Sequence, residues 1–212
     1  MKNLLILGDS YSTYEGQVAK GCAVYYFKNG SSPDLPVSKM ELEETWWHRM
    51  LEATGVNLVM NNSWSGSTFS YTGYRGDCSQ TSSFICRYRK LKASNFFAEN
   101  NIDTVIVFGG TNDSWVPAPL GELKLSDWKE EDFVCALPAI SYLVYSLKTD
   151  LPDVRVIFII NCDIKEEIIC GIKTACDYFG AETIVLHDIE KESGHPNPRG
   201  MAQICEQVLA HL

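Results

Sequence analysis

The sequence predicts an α/β fold, with one five-stranded parallel sheet covered by helices on both faces in the flavodoxin-like strand order 2-1-3-4-5. Three observations carry this. Five apolar runs, beginning with Leu4 to Leu7, are continuous rather than alternating, as strands buried on both faces must be. Stretches with helical periodicity separate them, which forces parallel pairing through crossovers. Right-handed crossovers then leave few layouts for a chain of 212 residues. Without a linker long enough to separate distinct cores, residues 1–212 suit one domain.

The first strand, Asn3 to Leu7, stops at Gly8-Asp9-Ser10 and delivers a serine at its carboxyl end, the edge where open α/β sheets bind ligands. Tyr14 to Val37 is a long, turn-rich loop in which Tyr25-Tyr26-Phe27 could form a short ribbon. Ser38 to Glu41 reads as a capping box for a helix through about Thr54, with Trp46, Trp47, Met50 and Leu51 on its core face. Asn57 to Met60 is the second strand, ending in Asn61 to Ser67. A helix is expected from about Ser82 to Asn100, where Phe84, Tyr88, Leu91 and Phe96 recur at helical intervals. Arg87-Tyr88-Arg89-Lys90 with Lys92 is read as a solvated face of that helix.

The third strand, Asp103 to Phe108, ends at Gly109-Gly110-Thr111-Asn112-Asp113, and Ser114 to Asp127 is a second long loop. From about Lys129 to Thr149 the chain is helical, with Pro138 expected to bend or break it. Val154 to Ile160 and Thr183 to Leu186 are the last strands, with a helix from Ile164 to Phe179 between them and another from Arg199 to Leu212.

Composition narrows the function classes. A formal charge of -9 and pI near 4.9 repel nucleic acid and anionic membrane surfaces, so neither is expected as a partner. No apolar span approaches the roughly 20 residues of a membrane helix, and the apolar start is too short for a signal-peptide core. A cytoplasmic protein is expected, or a secreted one if a leader has been removed. Eight cysteines show no Cys-x-x-Cys pair and no His at zinc-like spacing, so no metal is expected. Apolar neighbours favour reduced, buried thiols at Cys86, Cys135, Cys170 and Cys205, whereas Cys22 and Cys78 lie in polar sequence.

Chemistry concentrates where the strands end. A serine needs a base to become a nucleophile, and the oxyanion that forms needs donors already aimed at it. Ser10 can attack and His195 can take its proton. The amides of Ser10 and Gly66 and the Asn112 side chain can donate to the oxyanion. The plainer readings are a helix-entry histidine, a turn-forming Asn112, and Asp9 and Asp113 as residues that hold loops by hydrogen bonds.

Four short blocks in order, Gly8-Asp9-Ser10-Tyr11, Asn62 to Gly66, Gly110 to Asp113 and Glu192 to Pro196, resemble the SGNH branch of the GDSL-type hydrolases. The resemblance spans almost the whole chain. It implies a three-layer α/β/α fold, no cofactor, and hydrolysis of a small-molecule ester or thioester through an acyl-serine intermediate. It also implies a carboxylate three residues before the histidine, which here is Glu192 in place of aspartate, with Asp188 the nearest substitute. Tyr11 stands where the family carries leucine. Tyr11, Trp64 and Trp115 are the candidates for substrate contact, and short acyl groups on a carbohydrate or other polar carrier are the expected substrates. A lysophospholipase or acyl-thioesterase would need a long apolar groove. A flavodoxin-like binding module using Asp9 to Thr13 as a phosphate cradle would leave Asn112 and His195 unexplained. Oligomeric state is not legible.

Overall fold

A computed structural model of the chain describes residues 2–30 and 39–212. Five strands form one sheet: β1 (Asn3–Gly8), β2 (Asn57–Ser63), β3 (Thr104–Gly109), β4 (Arg155–Ile160) and β5 (Glu182–Val185). Their order is β2-β1-β3-β4-β5 and every neighbouring pair is parallel, as expected. Leu4 to Leu7 and Val105 to Phe108 are wholly buried because the sheet is covered on both sides.

Alternation along the strands divides the interior into two cores. Leu5, Leu7, Val105, Val107, Val156, Phe158 and Ile160 face α2 (Phe84–Ala93), α3 (Phe96–Asn100), α5 (Ala136–Asp150) and α6 (Glu166–Phe179). Leu4, Ile6, Ile106, Phe108, Ile157 and Ile159 face α1 (Trp46–Thr54) and α7 (Pro198–Leu209), where Trp46, Trp47, Met50, Met201, Ile204 and Val208 are buried. The result is the three-layer α/β/α arrangement. Each such side chain contributes about 1.5–3 kcal/mol of burial, so both cores help hold the strand ends in place. Among the described residues no helix is long and apolar enough to cross a membrane.

Several boundaries differ from the sequence pattern, each for a local reason. β2 runs on through Asn61, Asn62 and Ser63, because pairing with Ile6, Leu7 and Gly8 continues past the apolar residues. Their polar side chains are satisfied internally: Asn61 Nδ2 donates to the Ser12 carbonyl at 2.8 Å and Ser63 Oγ to Asn61 Oδ1 at 2.5 Å. Ser38 lies outside the described residues. The helix of the tryptophans starts at Trp46, capped by Thr45, after a separate 3-10 turn over Leu42–Glu44.

The helix expected over 82–100 is two, divided where Asn95 turns left-handed at φ 61°. The helix expected over 129–149 is divided as well, into a 3-10 helix over Glu130–Val134 and α5 from Ala136, with Pro138 just past the break. The proline sits in the first turn of α5, where the missing N–H has no intrahelical partner to lose. Tyr25 and Tyr26 form no ribbon strand; only Phe27 makes a bridge, to Lys39. Cys78 is buried and Cys170 exposed, the reverse of what their neighbours suggested.

Arg87 also departs from its reading. It is 3% exposed, within the floor of the strand-end loops rather than on a solvated face. Its guanidinium donates to Gly8 O at 3.1 Å, Ser67 Oγ at 2.7 Å, Ser82 O at 3.0 Å, Asn62 Oδ1 at 3.1 Å and the Asn62 carbonyl. Burial pushes it down to about 10, so the cation persists at neutral pH.

Candidate active site

β1 ends in a one-turn 3-10 helix over Ser10–Ser12. Asp9 makes that turn: its Oδ1 accepts from the Tyr11 amide at 3.0 Å. Burial pushes the Asp9 carboxyl up to about 7, against the opposing pull of the Tyr11 amide and the Arg87 cation. The Thr13 hydroxyl donates to the Ser10 carbonyl at 2.9 Å and accepts from the Tyr25 amide at 2.9 Å, which ties the following loop to the serine turn.

His195 reaches the same place from the far end of the chain. Residues 191–196 form a hairpin in which Glu192 pairs with His195, and the two turn residues, Ser193 and Gly194, both have positive φ (50° and 80°). That is the geometry of a type I′ turn, for which glycine at the second position is favoured. Asn197 then caps α7 by accepting from the Gly200 amide at 2.9 Å, with Pro198 at the first helical position. The hairpin places His195 Nε2 3.0 Å from Ser10 Oγ across 185 residues of sequence. Nδ1 faces the Ser193 carbonyl at 3.4 Å.

Glu192 lies directly opposite His195 in the hairpin, so the two side chains share one face, and Glu192 is exposed. Asp188 turns elsewhere. Its carboxylate lies 3.0 Å from His187 Nδ1, with both side chains largely in solvent.

Aromatic rings enclose the imidazole. Tyr25 stacks on it with centroids 3.6 Å apart and planes 8° from parallel. Tyr11 and Trp115 approach edge-on at 5.3 Å and 5.8 Å. Burial accordingly pushes His195 down to about 4; the Ser193 carbonyl opposes this shift and the Lys191 ammonium adds to it.

The candidate oxyanion side is built by the loops after β2 and β3. Gly66 has φ 79° in the turn closed by the Ser67 amide on the Trp64 carbonyl at 3.1 Å, so the turn itself selects glycine. Asn112, buried in the short helix α4 (Thr111–Trp115), donates from Nδ2 to the Ser67 carbonyl at 2.9 Å. Asp113 accepts from the Phe69 and Ser70 amides at 2.8 Å and 3.0 Å, which fastens the two loops together. Asp9 and Asp113 thus hold loops by hydrogen bonds.

The three candidates for substrate contact fall in different places. Trp115 is 43% exposed at the rim beside Gly194, and Trp64 is half-buried. Tyr11 is fully buried beneath the imidazole, where its hydroxyl donates to Gly194 O at 2.5 Å and accepts from Asn161 Nδ2 at 3.3 Å. From there it shapes the site through His195 and its hairpin. Three residues were not legible as site residues. They are Tyr25 and Tyr26, which looked like ribbon sequence, and Tyr74, at the tip of a small hairpin over residues 72–77. A tyrosine between two glycines after a strand end was the available signal for Tyr74.

Comparison with known proteins gives a consistent family. Residues 2–212 match the model for GDSL-like lipase/acylhydrolase. A Bacteroides ovatus protein classed as a GDSL-like lipase is 37% identical over 100% of this chain and 97% of its own, with a TM-score of 0.88. A Bacteroides uniformis protein of the same class is 39% identical over 100% and 95%, with a TM-score of 0.89. An acetyl xylan esterase from Butyrivibrio proteoclasticus shares the fold at 19% identity and a TM-score of 0.64, over 100% of this chain and 63% of its own. No curated protein matches the chain in sequence.

Proposed function

Because the chain belongs to the GDSL-like lipase/acylhydrolase family and is an ester hydrolase, we propose that Ser10 is its nucleophile and His195 its general base, working through an acyl-serine intermediate. The observation that carries this reading is the 3.0 Å approach of His195 Nε2 to Ser10 Oγ. Ser10 Oγ attacks the ester carbonyl while Nε2 takes its proton, and the new C–O bond leaves a negative charge on the former carbonyl oxygen. The Ser10 and Gly66 amides and the Asn112 carboxamide donate to that oxygen.

Collapse of the tetrahedral species breaks the bond to the leaving alcohol, which takes the proton back from His195. Water, deprotonated by the same imidazole, then releases the acid and restores Ser10. Glu192, on the same face of the hairpin, supplies the carboxylate that offsets the imidazolium charge.

The substrate we propose is a short acyl ester, acetyl above all, on a carbohydrate or similar polar carrier. Two exposed rings support this: Tyr74 (56%) beside Gly66 and Trp115 (43%) beside Gly194. Such a rim suits the flat apolar face of a sugar ring better than a long acyl chain. The shared fold of the acetyl xylan esterase agrees with it.

A chain-length series of p-nitrophenyl esters, run beside acetylated sugars with wild type and Ser10→Ala, tests both halves of the proposal. Acetyl substrates should give the highest kcat/KM, and Ser10→Ala should lower kcat by at least about 10³-fold without unfolding. Retention of more than about a tenth of kcat in the variant would sink the nucleophile. A preference for long chains would instead favour the lysophospholipase or acyl-thioesterase reading.

A further inference from the structure

The imidazole is held by more than its hairpin. Tyr11 donates its hydroxyl proton to the carbonyl of Gly194 at 2.5 Å, and Tyr26 donates to that of Pro196 at 2.8 Å. The peptide group that enters His195 and the one that leaves Pro196 are therefore pinned by two buried tyrosines from separate segments. Tyr25 then covers one face of the ring. Its own backbone is fixed by Thr13, whose hydroxyl also reaches the Ser10 carbonyl, so nucleophile and cover share one anchor.

The geometry of that cover is informative. Two neutral aromatic rings prefer an offset or edge-to-face approach over near-parallel planes at close centroid distance. A cation over the face of a tyrosine is attracted instead. The Tyr25 stack is thus poor for a neutral imidazole and good for the imidazolium that exists only after Ser10 has lost its proton. An interaction stronger in the transition state than in the ground state raises kcat.

Resting on the reading of His195 as the base, we propose that Tyr25 is a positioning residue for the reaction: its ring face holds the imidazole aligned on Ser10 and favours the imidazolium as the proton arrives. Tyr11 and Tyr26 complete the frame by fixing the backbone that carries the ring. The charged groups facing this assembly include Lys191, whose ammonium lies 5.8 Å over the Tyr11 ring, Glu192, which acts electrostatically on Tyr25 and stands opposite His195, Asp9, whose carboxyl acts on Tyr11 and Tyr26, and Asp163, which acts on Tyr11. None lies between the stacked rings. Lys191 is itself held by Asn161 Oδ1 at 2.8 Å and Asp163 Oδ2 at 2.7 Å.

The test joins kinetics on p-nitrophenyl acetate with proton NMR of the four histidines, His195 being assigned by loss of its signals in His195→Gln. In the unaltered protein, ring current from Tyr25 should move the His195 ring protons upfield of the other three; unshifted signals would overturn the stack. Tyr25→Phe keeps the face and should keep kcat within about threefold. Tyr25→Leu keeps apolar cover without the face and should lower kcat by about 10- to 100-fold with KM within about threefold.

The titration midpoint of His195 in Tyr25→Leu should stay at or below that of wild type. A rise toward the ordinary imidazole value would show that Tyr25 merely shields the ring. Equal losses in the Phe and Leu variants, or a loss confined to KM, would also overturn the proposal. Wild-type protein without esterase turnover would sink the catalytic reading alone, since the NMR shifts are read without substrate.

Discussion

The Tyr74 hydroxyl donates to Asn112 Oδ1 at 3.1 Å while Nδ2 of the same carboxamide donates to the Ser67 carbonyl at 2.9 Å. These two bonds fix which way the amide faces, and in the proposed mechanism its second N–H is the one that serves the oxyanion. Asn112→Ala should lower kcat by roughly 10²-fold with little change in KM, as removal of one oxyanion donor does. Tyr74→Phe should cost about three- to tenfold, and nothing further in the Asn112→Ala background, which a double-mutant cycle of steady-state kinetics would read. A rise in KM with unchanged kcat would make Asn112 a substrate or turn residue.

The low position of His195, about 4 and caused chiefly by burial, sets the pH profile. As the proposed base, His195 works only when unprotonated, so kcat/KM should hold down to about pH 5 and fall as pH drops through 4, rather than near the 6.5 of an ordinary imidazole. The linkage has the opposite benefit for stability. Between 6.5 and 4 the unfolded chain binds a proton that the folded imidazole refuses, so this group's contribution weakens as pH falls through that window. Melting curves collected alongside the rates would separate the two effects. An acid limb near 6.5 would contradict the burial.

Glu192 and Asp188 can be told apart by their amides. Glu192→Gln should reduce kcat, by about 10- to 100-fold rather than by four orders, because water partly screens the charge of an exposed carboxylate. Asp188→Asn should stay within about twofold, since the Asp188 carboxylate is paired with His187 rather than with His195. The reverse order of damage would reassign the acid.

Removing the Arg87 cation should unfasten the floor of the site. Arg87→Met leaves the carbonyls of Asn62 and Ser82 without that donor, at about 1–3 kcal/mol for each buried group left unsatisfied. We expect a Tm lower by about 6–12 °C, with activity lost in parallel. Calorimetry and rates at a permissive temperature would check this, and an unchanged Tm would mean that the pocket re-forms around water.

The sequence carried the fold because burial dictates it locally: runs such as Thr104 to Gly109 can only be strands covered on both sides, and crossover rules do the rest. The four blocks at strand ends pointed to Ser10, Gly66, Asn112 and His195, since turn chemistry and nucleophile chemistry share those positions. What could not be read was contact between segments distant in the chain. Arg87 looked like one member of a basic helix face because the carbonyls it satisfies come from three other places. Tyr25 looked like a ribbon residue because its partner is 170 positions away in a hairpin whose turn is recognisable only from its two positive φ angles.

The two cores on opposite faces of the sheet also divide the labour of the site. Tyr11, Tyr25, Tyr26, Trp46 and Met201 belong to the core under α1 and α7, and the three tyrosines pack around His195, the proposed base. Phe69, Tyr71, Phe84 and Tyr88 belong to the core under α2 and α5, beneath the loops of the proposed oxyanion site. Ser10 stands on the seam. Substitutions in one interior should therefore alter basicity, and substitutions in the other charge acceptance, each with limited cost to its neighbour. A lineage of such enzymes can retune these two halves of ester chemistry independently while keeping one nucleophile.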